Sequence, residues 1–154
     1  MSNCEINKFG TIRWYQNGKL HHDDGPAVEY YFGDKEWWAN GKVHREDGPA
    51  VEHANGGKAW FVNGFRHRED GPAIEYSNGT KEWYQNGQKH RDDGPAIEVW
   101  DGTKRWYKNG RYHRDDGPAL ISNTGCKQWW LNDKQYTEEE FILYQFSKGI
   151  IINA

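Results

Sequence analysis

One tetrapeptide recurs through this chain at a constant interval. The sequence Asp-Gly-Pro-Ala appears five times, each copy 23 residues after the previous one, and it contains all five prolines. Its copies occupy residues 24–27, 47–50, 70–73, 93–96 and 116–119. A fixed period of this size is typical of repeat arrays, whose units bury their apolar faces only against neighbouring units. The period therefore predicts a stack of similar units.

Each unit has the residue pattern of β-hairpins. Asn40-Gly41 separates two short runs of aromatic and β-branched residues, and Asn-Gly favours the type I′ turn because both central residues need positive φ. A second loop in the unit lies at Phe32-Gly33 and becomes Asn55-Gly56 or Asn78-Gly79 later in the chain. We expect two-residue hairpin loops at both places.

Two-residue loops fix which residues face each other across the strands. They place Trp37 opposite His44, Lys35 opposite Glu46, and Val28 opposite Trp37. The interior face would then consist of tryptophan, aliphatic and histidine side chains. The tryptophan column is Trp14, Trp37, Trp60, Trp83, Trp106 and Trp129.

A second aromatic column follows each tryptophan directly and is expected on the opposite face, because side chains alternate along a strand. Two outcomes stay open for this column. Either the sheet curls and buries it, since the chain has few aliphatic residues, or it forms a recognition surface. Its members are Trp38, Phe61, Tyr84, Tyr107 and Trp130.

The chain changes character after the last repeat. Thr137 and Glu140 form a capping box, which predicts a helix over residues 138–147. Its predicted apolar face is Phe141, Leu143, Tyr144 and Phe146, with Gly149 as the stop and an apolar segment at 150–152. We expect this helix to cap the last repeat, with docking of a partner as the alternative.

These elements predict one fold class. We expect a mainly all-β protein: an elongated array of stacked antiparallel β-hairpins in a twisted sheet, with a C-terminal capping α-helix. The expected divisions are an N-terminal segment at 1–9, the repeats at 10–135, and the capping helix with its tail at 136–154.

The composition disfavours some classes of partner. The mean hydropathy is −1.13, but nine Trp, nine Tyr and six Phe can supply a core. The net charge of −3 is spread over interspersed acidic and basic residues, so we expect no nucleic-acid partner. The chain has no apolar run long enough to span a membrane, so we expect no membrane partner. We expect a cytoplasmic protein. Cys4 and Cys126 have neither disulfide-framework nor metal-site spacing.

The histidine column gives no sign of catalysis. His21, His44, His67, His90 and His113 each precede two carboxylates, but the arrangement recurs five times and no nucleophile shares the period. We expect structural histidines, each packed on a tryptophan and hydrogen-bonded to a turn carbonyl, with no catalytic residue, no metal and no cofactor. A calcium ladder is disfavoured because an arginine usually precedes each carboxylate pair. Arg45 and its equivalents are expected to pair with Glu29, Glu52, Glu75 and Glu98.

The repeat resembles a known family. Trp37-x-x-Asn40-Gly41-Lys42-x-His44, followed by Asp47-Gly48, is similar to the membrane occupation and recognition nexus (MORN) repeat over residues 10–135. With its Asp-Gly-Pro-Ala motif and its ending at residues 136–141, the chain looks like repeat proteins of large DNA phages and giant viruses. The resemblance implies protein–protein scaffolding or neutralisation of a partner, as in predicted bacterial antitoxins, and for some MORN proteins lipid contact.

The leading hypothesis is a non-enzymatic interaction module that binds a protein partner, with a phage-encoded inhibitor or antitoxin-like neutraliser of a host protein as one form. One alternative is a viral counter-defence protein that sequesters a nucleotide near Arg105, Arg111 and Arg114, and another is a structural or scaffold protein. A homodimer through the uncapped N-terminal edge stays open. The partner-binding candidates are Trp38, Phe61, Tyr84, Tyr107, Trp130, Phe65, Trp100, Tyr112 and Arg105.

Overall fold

The computed structural model describes residues 2–149, and the chain divides into two compact units, Met1–Gly87 and Gln88–Ala154. The predicted segment at 150–152 lies outside the described residues. The predicted fold class is confirmed in its main features, because antiparallel hairpins form most of the structure and one helix follows them.

The first unit contains one main antiparallel sheet. Its strands follow the order β1-β2-β4-β5-β8-β9-β12-β13, with β3 pairing on β2. Short lateral hairpins, β6–β7 and β10–β11, stand apart from this sheet. The strands are β1 (Ser2–Ile6), β2 (Ile12–Gln16), β3 (Lys19–Leu20), β4 (Val28–Glu29), β5 (Lys35–Glu36), β6 (Trp38–Ala39), β7 (Lys42–Val43), β8 (Val51–Glu52), β9 (Lys58–Ala59), β10 (Phe61–Val62), β11 (Phe65–Arg66), β12 (Ile74–Glu75), β13 (Lys81–Glu82) and β14 (Tyr84–Gln85).

The second unit repeats the scheme and adds the helix. Its main sheet has the order β16-β17-β20-β21-β22, and β18–β19 forms a lateral hairpin. The elements are β15 (Gln88–Lys89), β16 (Ile97–Glu98), β17 (Lys104–Arg105), β18 (Tyr107–Lys108), β19 (Arg111–Tyr112), β20 (Leu120–Ile121), β21 (Lys127–Leu131), β22 (Lys134–Tyr136) and α1 (Glu138–Ser147).

The lateral hairpins have the predicted turn. Asn40 and Gly41 have φ values of 53° and 80°, and the equivalent pairs in the other repeats also have positive φ. Both central residues of a type I′ turn need this conformation, which asparagine and glycine adopt at low cost. In this register Trp38 faces Val43, and the N–H of His44 donates to the carbonyl of Trp37 over 3.0 Å. The predicted pairing of Trp37 with His44 is therefore correct.

The hairpins of the main sheet have three-residue loops, so the two-residue prediction is wrong there. Gly33 has φ 102° and Gly56 has φ 91°, while Phe32 and Asn55 do not have positive φ. A type I turn followed by a left-handed glycine matches this pattern. The extra residue shifts the register by one: Val28 faces Glu36 instead of Trp37.

The predicted pairing of Lys35 with Glu46 is also wrong. Lys35 faces Glu29 within its own hairpin and Glu52 of the next repeat. The reason is that the strand does not continue straight to Ala39. It ends at Glu36, passes through Trp37, and resumes as β6 in the lateral hairpin, so one strand of the predicted hairpin serves two separate ladders.

The last alanine of each Asp-Gly-Pro-Ala motif lies in the core. Ala27, Ala50, Ala73, Ala96 and Ala119 are all 0% exposed. In the first unit Ala59, Ala73, Ile74 and Tyr84 form a buried cluster, and Val51 and Phe61 pack against it. Since Phe61 and Tyr84 belong to the second aromatic column, that column contributes to the core of this unit.

The C-terminal helix has the predicted start and stop. The Oγ1 of Thr137 accepts the N–H of Glu140 over 3.2 Å, and the Glu140 carboxylate accepts the N–H of Thr137 over 2.9 Å. Gly149 follows with φ 70°. The helix contacts β21 and β22, as expected for a cap.

The predicted apolar face of the helix is only partly correct. Phe141 is 1% exposed and Tyr144 is half-buried, but Leu143 and Phe146 are 68% and 64% exposed. Gln145 is buried in their place, because its side-chain amide donates to the carbonyl of Asp115 over 2.8 Å.

Candidate interaction surface

The Asp-Gly-Pro-Ala turns are held by a repeated arginine network. The guanidinium of Arg68 lies 4.0 Å from the ring centroid of Trp60, and its Nε donates to Asp70 over 2.9 Å. Its Nη1 donates to the carbonyl of Pro72 over 3.3 Å and to Glu75 over 3.1 Å. This one side chain connects a tryptophan, a turn and a strand, so its role is structural.

The same contacts recur in the other repeats with two variations, one of which is Ile121 in place of the strand glutamate for Arg114. Arg45 and Arg114 each lie 4.1 Å from the ring of their own tryptophan. In the first repeat His22 takes the arginine position and stacks on Trp14 at 4.5 Å with the rings 5° from parallel. The predicted pairing of the arginines with the strand glutamates is confirmed for Arg45–Glu52, Arg68–Glu75 and Arg91–Glu98.

The turn glycine makes room for this arginine. A Cβ built on Gly71 would lie 3.0 Å from the guanidinium carbon of Arg68, and one on Gly48 would lie 3.1 Å from that of Arg45. A larger residue would therefore force the guanidinium to shift by a few tenths of an ångström. The glycine of the motif lets the arginine lie close against the turn.

The arginines also shift the ionisation of the turn aspartates. The hydrogen bond from Arg45 to Asp47, reinforced by its charge, lowers the pKa of that carboxyl below its ordinary value. The pKa values of Asp70, Asp93 and Asp116 are lowered in the same way by Arg68, Arg91 and Arg114. All four aspartates are expected to be ionised at neutral pH.

The histidine column joins consecutive repeats. The N–H of Asn63 donates to Nδ1 of His44 over 3.1 Å, and the N–H of Asn86 donates to Nδ1 of His67 over 3.1 Å. The sequence predicted a bond to a turn carbonyl, but the partner is the N–H of the next lateral turn. An accepting Nδ1 places the proton on Nε2, which faces a carboxylate two residues on, as in the 2.7 Å contact of His21 with Asp23.

Grooves separate neighbouring turns within each unit. In the first unit a groove of about 800 Å³ lies between two turns and includes Pro49, Trp60, Val62 and Glu69. In the second unit a groove of about 490 Å³ includes Pro95, Trp106 and Asp115. The walls of both grooves are formed by the arginine, aspartate and tryptophan side chains of the turn network. Both grooves are therefore part of the scaffold.

The three-residue loops of the main sheet share one backbone conformation and differ in side chains. In each loop the N–H of the glycine donates to the carbonyl three residues earlier over 2.8–3.0 Å. We call these five loops, each taken with the paired residue on either side, the loop series; the segments are residues 30–34, 53–57, 76–80, 99–103 and 122–126. Their sequences are Tyr-Tyr-Phe-Gly-Asp, His-Ala-Asn-Gly-Gly, Tyr-Ser-Asn-Gly-Thr, Val-Trp-Asp-Gly-Thr and Ser-Asn-Thr-Gly-Cys.

Side chains tie neighbouring loops together. In the first unit Asp34 accepts the N–H of Ala54 over 2.8 Å and contacts Nδ1 of His53 at 2.6 Å. Partial burial opposes ionisation of Asp34, but these two bonds outweigh it and lower its pKa. In the second unit the hydroxyl of Thr103 accepts the N–H of Asn123 over 3.2 Å. The loop series is thus fixed in its backbone while its outer side chains vary.

The loop series carries large exposed aromatic side chains. In the first unit Tyr31 is 68% exposed, Phe32 is 53% exposed and Tyr76 is 45% exposed. The rings of Tyr31 and Phe32 meet edge to face at 5.1 Å. In the second unit Trp100 is 68% exposed. Exposed aromatic groups on a rigid backbone are typical of protein-binding surfaces.

The predicted binding residues fall into three groups by exposure. Phe65 and Trp100 are 59% and 68% exposed. Tyr84 is 7% exposed and hydrogen-bonds to Glu82 over 2.7 Å, and burial is the main reason that its pKa is raised. The remaining candidates are half-buried: Trp38, Phe61, Tyr107, Trp130, Tyr112 and Arg105.

Of the two outcomes left open for the second aromatic column, the structure favours burial. Trp38 donates its indole N–H to Glu36 over 2.8 Å, and the Tyr107 and Tyr112 rings lie 4.2 Å apart. These polar and ring contacts satisfy the half-buried groups inside the fold. A direct role of this column in binding stays a prediction.

The three arginines of the proposed nucleotide site lie in different elements and make different contacts. Arg105 faces Ile97 and Leu120 in the main sheet of the second unit, and its Nε is buried without a hydrogen-bond partner. Arg111 lies in the lateral hairpin opposite Lys108. Arg114 is engaged by Trp106 and Asp116.

Comparison with known proteins gives no family assignment: no protein-family model matches the chain, and no curated protein matches it. Within residues 2–149 there is no cluster of three or more His, Cys, Asp or Glu side chains arranged to hold a metal ion. The same described residues include no helix with the length and apolarity needed to cross a membrane.

The exposed residues of the loop series are the part of the surface that sequence reasoning located least well. Tyr76 occupies the same loop position as Tyr30, His53, Val99 and Ser122, so nothing in the repeat pattern marks it. What distinguishes these loop positions is that the residue type varies between repeats while the backbone conformation stays the same. This difference can be recognised only once the loop length is known.

Proposed function

We propose that this chain is a non-enzymatic interaction module that binds a protein partner through the exposed side chains of its loop series. The observation that carries the proposal is the combination of a constant loop backbone with variable and partly aromatic side chains. Each unit has its own anchors, Tyr31 and Phe32 in the first unit and Trp100 in the second. Aromatic anchors of this kind contribute most of the free energy in many protein interfaces.

The rigidity of the loops supports this proposal. Ordering a flexible loop on binding costs free energy, so a loop already fixed by its neighbours binds at a smaller entropic cost. The bonds from Asp34 to Ala54 and His53 provide this order in the first unit.

The use of the histidines supports a non-enzymatic role. In every repeat Nδ1 of the histidine accepts a backbone N–H of the next turn, which leaves that nitrogen unavailable as a base. The resemblance to MORN repeats and to phage repeat proteins adds the expectation of a scaffold, or of an inhibitor that neutralises a host protein. The composition adds the expectation of a cytoplasmic location.

The test compares three tagged proteins in a capture experiment from bacterial lysate: the natural chain, a Tyr31→Ser/Phe32→Ser/Trp100→Ser variant, and a Glu46→Gln/Glu69→Gln control. The control alters exposed side chains of the turns, 85% and 90% exposed. Melting temperatures of all three should agree. We expect the loop variant to lose its partner, because truncating one aromatic anchor costs about 2 kcal/mol or roughly 30-fold in affinity.

Native mass spectrometry of the eluates separates the alternatives. A stoichiometric protein that binds the natural chain and the control but not the loop variant supports the proposal. Equal capture by all three proteins contradicts it. A small additional mass in place of a protein would favour the nucleotide-sequestering alternative, and a bare chain would favour the structural role.

A further inference from the structure

Strand β1 presents an open edge of the first unit. Within the described residues its only strand partner is β2, with which it forms a regular five-residue ladder from Ser2 opposite Gln16 to Ile6 opposite Ile12. Asn3, Cys4, Glu5 and Ile6 are all exposed. At the other end of the chain, in contrast, helix α1 packs on the last strands.

The hydrogen bonds of β2 show which groups of β1 point outward. The N–H of Trp14 donates to the carbonyl of Ala27 over 2.8 Å, and its carbonyl accepts the N–H of His21 over 3.0 Å. The backbone of Trp14 therefore faces away from β1. Since Cys4 lies opposite Trp14, this pair exchanges no hydrogen bond, and the N–H and C=O of Cys4 point to the open edge.

Alternation extends this orientation along the strand. Ser2 and Ile6 share the orientation of Cys4, so three residues direct six backbone polar groups outward. The N–H of Asn7 donates to the carbonyl of Thr11 over 3.1 Å, which confirms that the odd-numbered residues face β2.

Most of the usual protective devices are missing from this edge. Natural edge strands carry proline, charged side chains, especially lysine, or a bulge, or are very short, and of these devices β1 has only the single charge of Glu5. The segment Ser2–Ile6 contains no proline and no lysine, its ladder has no bulge, and it is among the longest strands of the described chain.

We propose that β1 pairs antiparallel with β1 of a second copy of this chain, on a two-fold axis that brings the two Cys4 residues face to face. An outward-pointing residue must face another outward-pointing residue. Pairing Cys4 with Cys4 brings all three outward residues into register and forms six hydrogen bonds, whereas every other allowed register loses at least two. A second copy is thus the strand that matches this edge completely.

The charges of the strand agree with this register. Glu5 is its only charged residue, and it faces Asn3 of the second copy rather than the other Glu5. Ile6, which is 68% exposed, faces Ser2 of the second copy and becomes partly covered. The interface is isologous, as in most homodimers. A ladder of this length buries little area, so we expect a weak dimer.

Disulfide formation between the two Cys4 residues tests this register directly. The Cα atoms of a hydrogen-bonded antiparallel pair lie about 5.5 Å apart, within the range that a disulfide spans. The chain offers a matched control, because Cys126 is also an exposed free thiol but lies in a loop of the second unit. The experiment treats Cys126→Ser and Cys4→Ser proteins with diamide, which takes up the two thiol hydrogens, followed by non-reducing electrophoresis.

We expect a covalent dimer in the Cys126→Ser protein and little in the Cys4→Ser protein, with a Cys4–Cys4 peptide identified by mass spectrometry. Adding Ile6→Pro to Cys126→Ser should abolish the dimer, because proline removes an outward N–H and leaves the ladder to β2 intact. Equal cross-linking of the two single variants, no cross-linking through Cys4, or unchanged cross-linking with a folded Ile6→Pro protein would each overturn the proposal.

Discussion

Ala73 illustrates how one residue of the repeat is restricted to a small side chain. It is fully buried and lies in one cluster with Ala59, Ile74 and Tyr84. We predict that Ala73→Leu lowers the free energy of unfolding by about 1–3 kcal/mol, because the added atoms have no free volume to occupy. Urea denaturation followed by tryptophan fluorescence measures this change.

Ala54→Leu is the matched control, since Ala54 lies exposed in the loop series. Its free energy of unfolding should stay within about 0.5 kcal/mol of the natural protein. If Ala73→Leu were as stable as this control, the alanine would not be a packing requirement.

The turn aspartates give the protein a defined response to acid. Arg45 and Arg68 lower the pKa values of Asp47 and Asp70 in the folded chain. A carboxyl with a lower pKa in the folded than in the unfolded state contributes stability above the unfolded pKa, and this contribution disappears as pH falls through the folded pKa. We therefore predict that stability decreases as the pH falls below about 4.

The double variant Asp47→Asn/Asp70→Asn tests this prediction by urea denaturation at several pH values. It should be less stable than the natural protein at neutral pH, and the difference should shrink on acidification. A difference that stays constant down to about pH 2 would show that the two arginine pairs do not cause the acid response.

At the scale of single residues, the sequence predicted much of the turn network correctly. The arginine pairs with Glu52, Glu75 and Glu98 followed from charge and spacing. The partner of the histidines did not follow, because the N–H of Asn63 reaches His44 from the next repeat, 19 residues away. Such a contact depends on how repeats stack, which spacing within one repeat does not determine.

The helix α1 depends on its capping box. We predict that Thr137→Ala lowers the free energy of unfolding by about 0.5–2 kcal/mol, because the N–H of Glu140 loses its acceptor. Ser147→Ala at the other end of the helix is the control and should change stability by less than about 0.5 kcal/mol. Urea denaturation compares the two, and an equal effect of both substitutions would contradict the assigned role of the cap.

At the scale of elements, the hairpins and the helix were predictable, and the loop length was not. Asn55-Gly56 and Asn40-Gly41 are the same dipeptide, but only in the second pair does the asparagine have positive φ. The strand is interrupted at Trp37, so Asn40-Gly41 belongs to a lateral hairpin and Asn55-Gly56 to the main sheet. The buried face of the helix was also predicted wrongly. Gln145 is buried because its side-chain amide hydrogen-bonds to the carbonyl of Asp115, and the apolar pattern of the helix does not indicate this contact.

In the molecule as a whole, two sets of aromatic residues have different roles. The second aromatic column stabilises the fold, as the packing of Phe61 and Tyr84 in the first unit shows. Exposed aromatic residues outside it, such as Phe65 and Tyr31, contribute little to the fold and are free to bind a partner. The sequence alone does not show which aromatic residues are buried, because the alternation of side chains along a strand does not determine which face of the sheet is buried.

The most direct test of this division compares Phe61→Ala with Phe65→Ala by urea denaturation. Both residues belong to the lateral hairpin β10–β11, so the substitutions differ only in the environment of the ring. We predict that Phe61→Ala lowers the free energy of unfolding by about 2 kcal/mol or more, because the ring packs against the core cluster. We predict a change below about 1 kcal/mol for Phe65→Ala, which is 59% exposed. Equal losses, or a larger loss for Phe65→Ala, would contradict this division of roles.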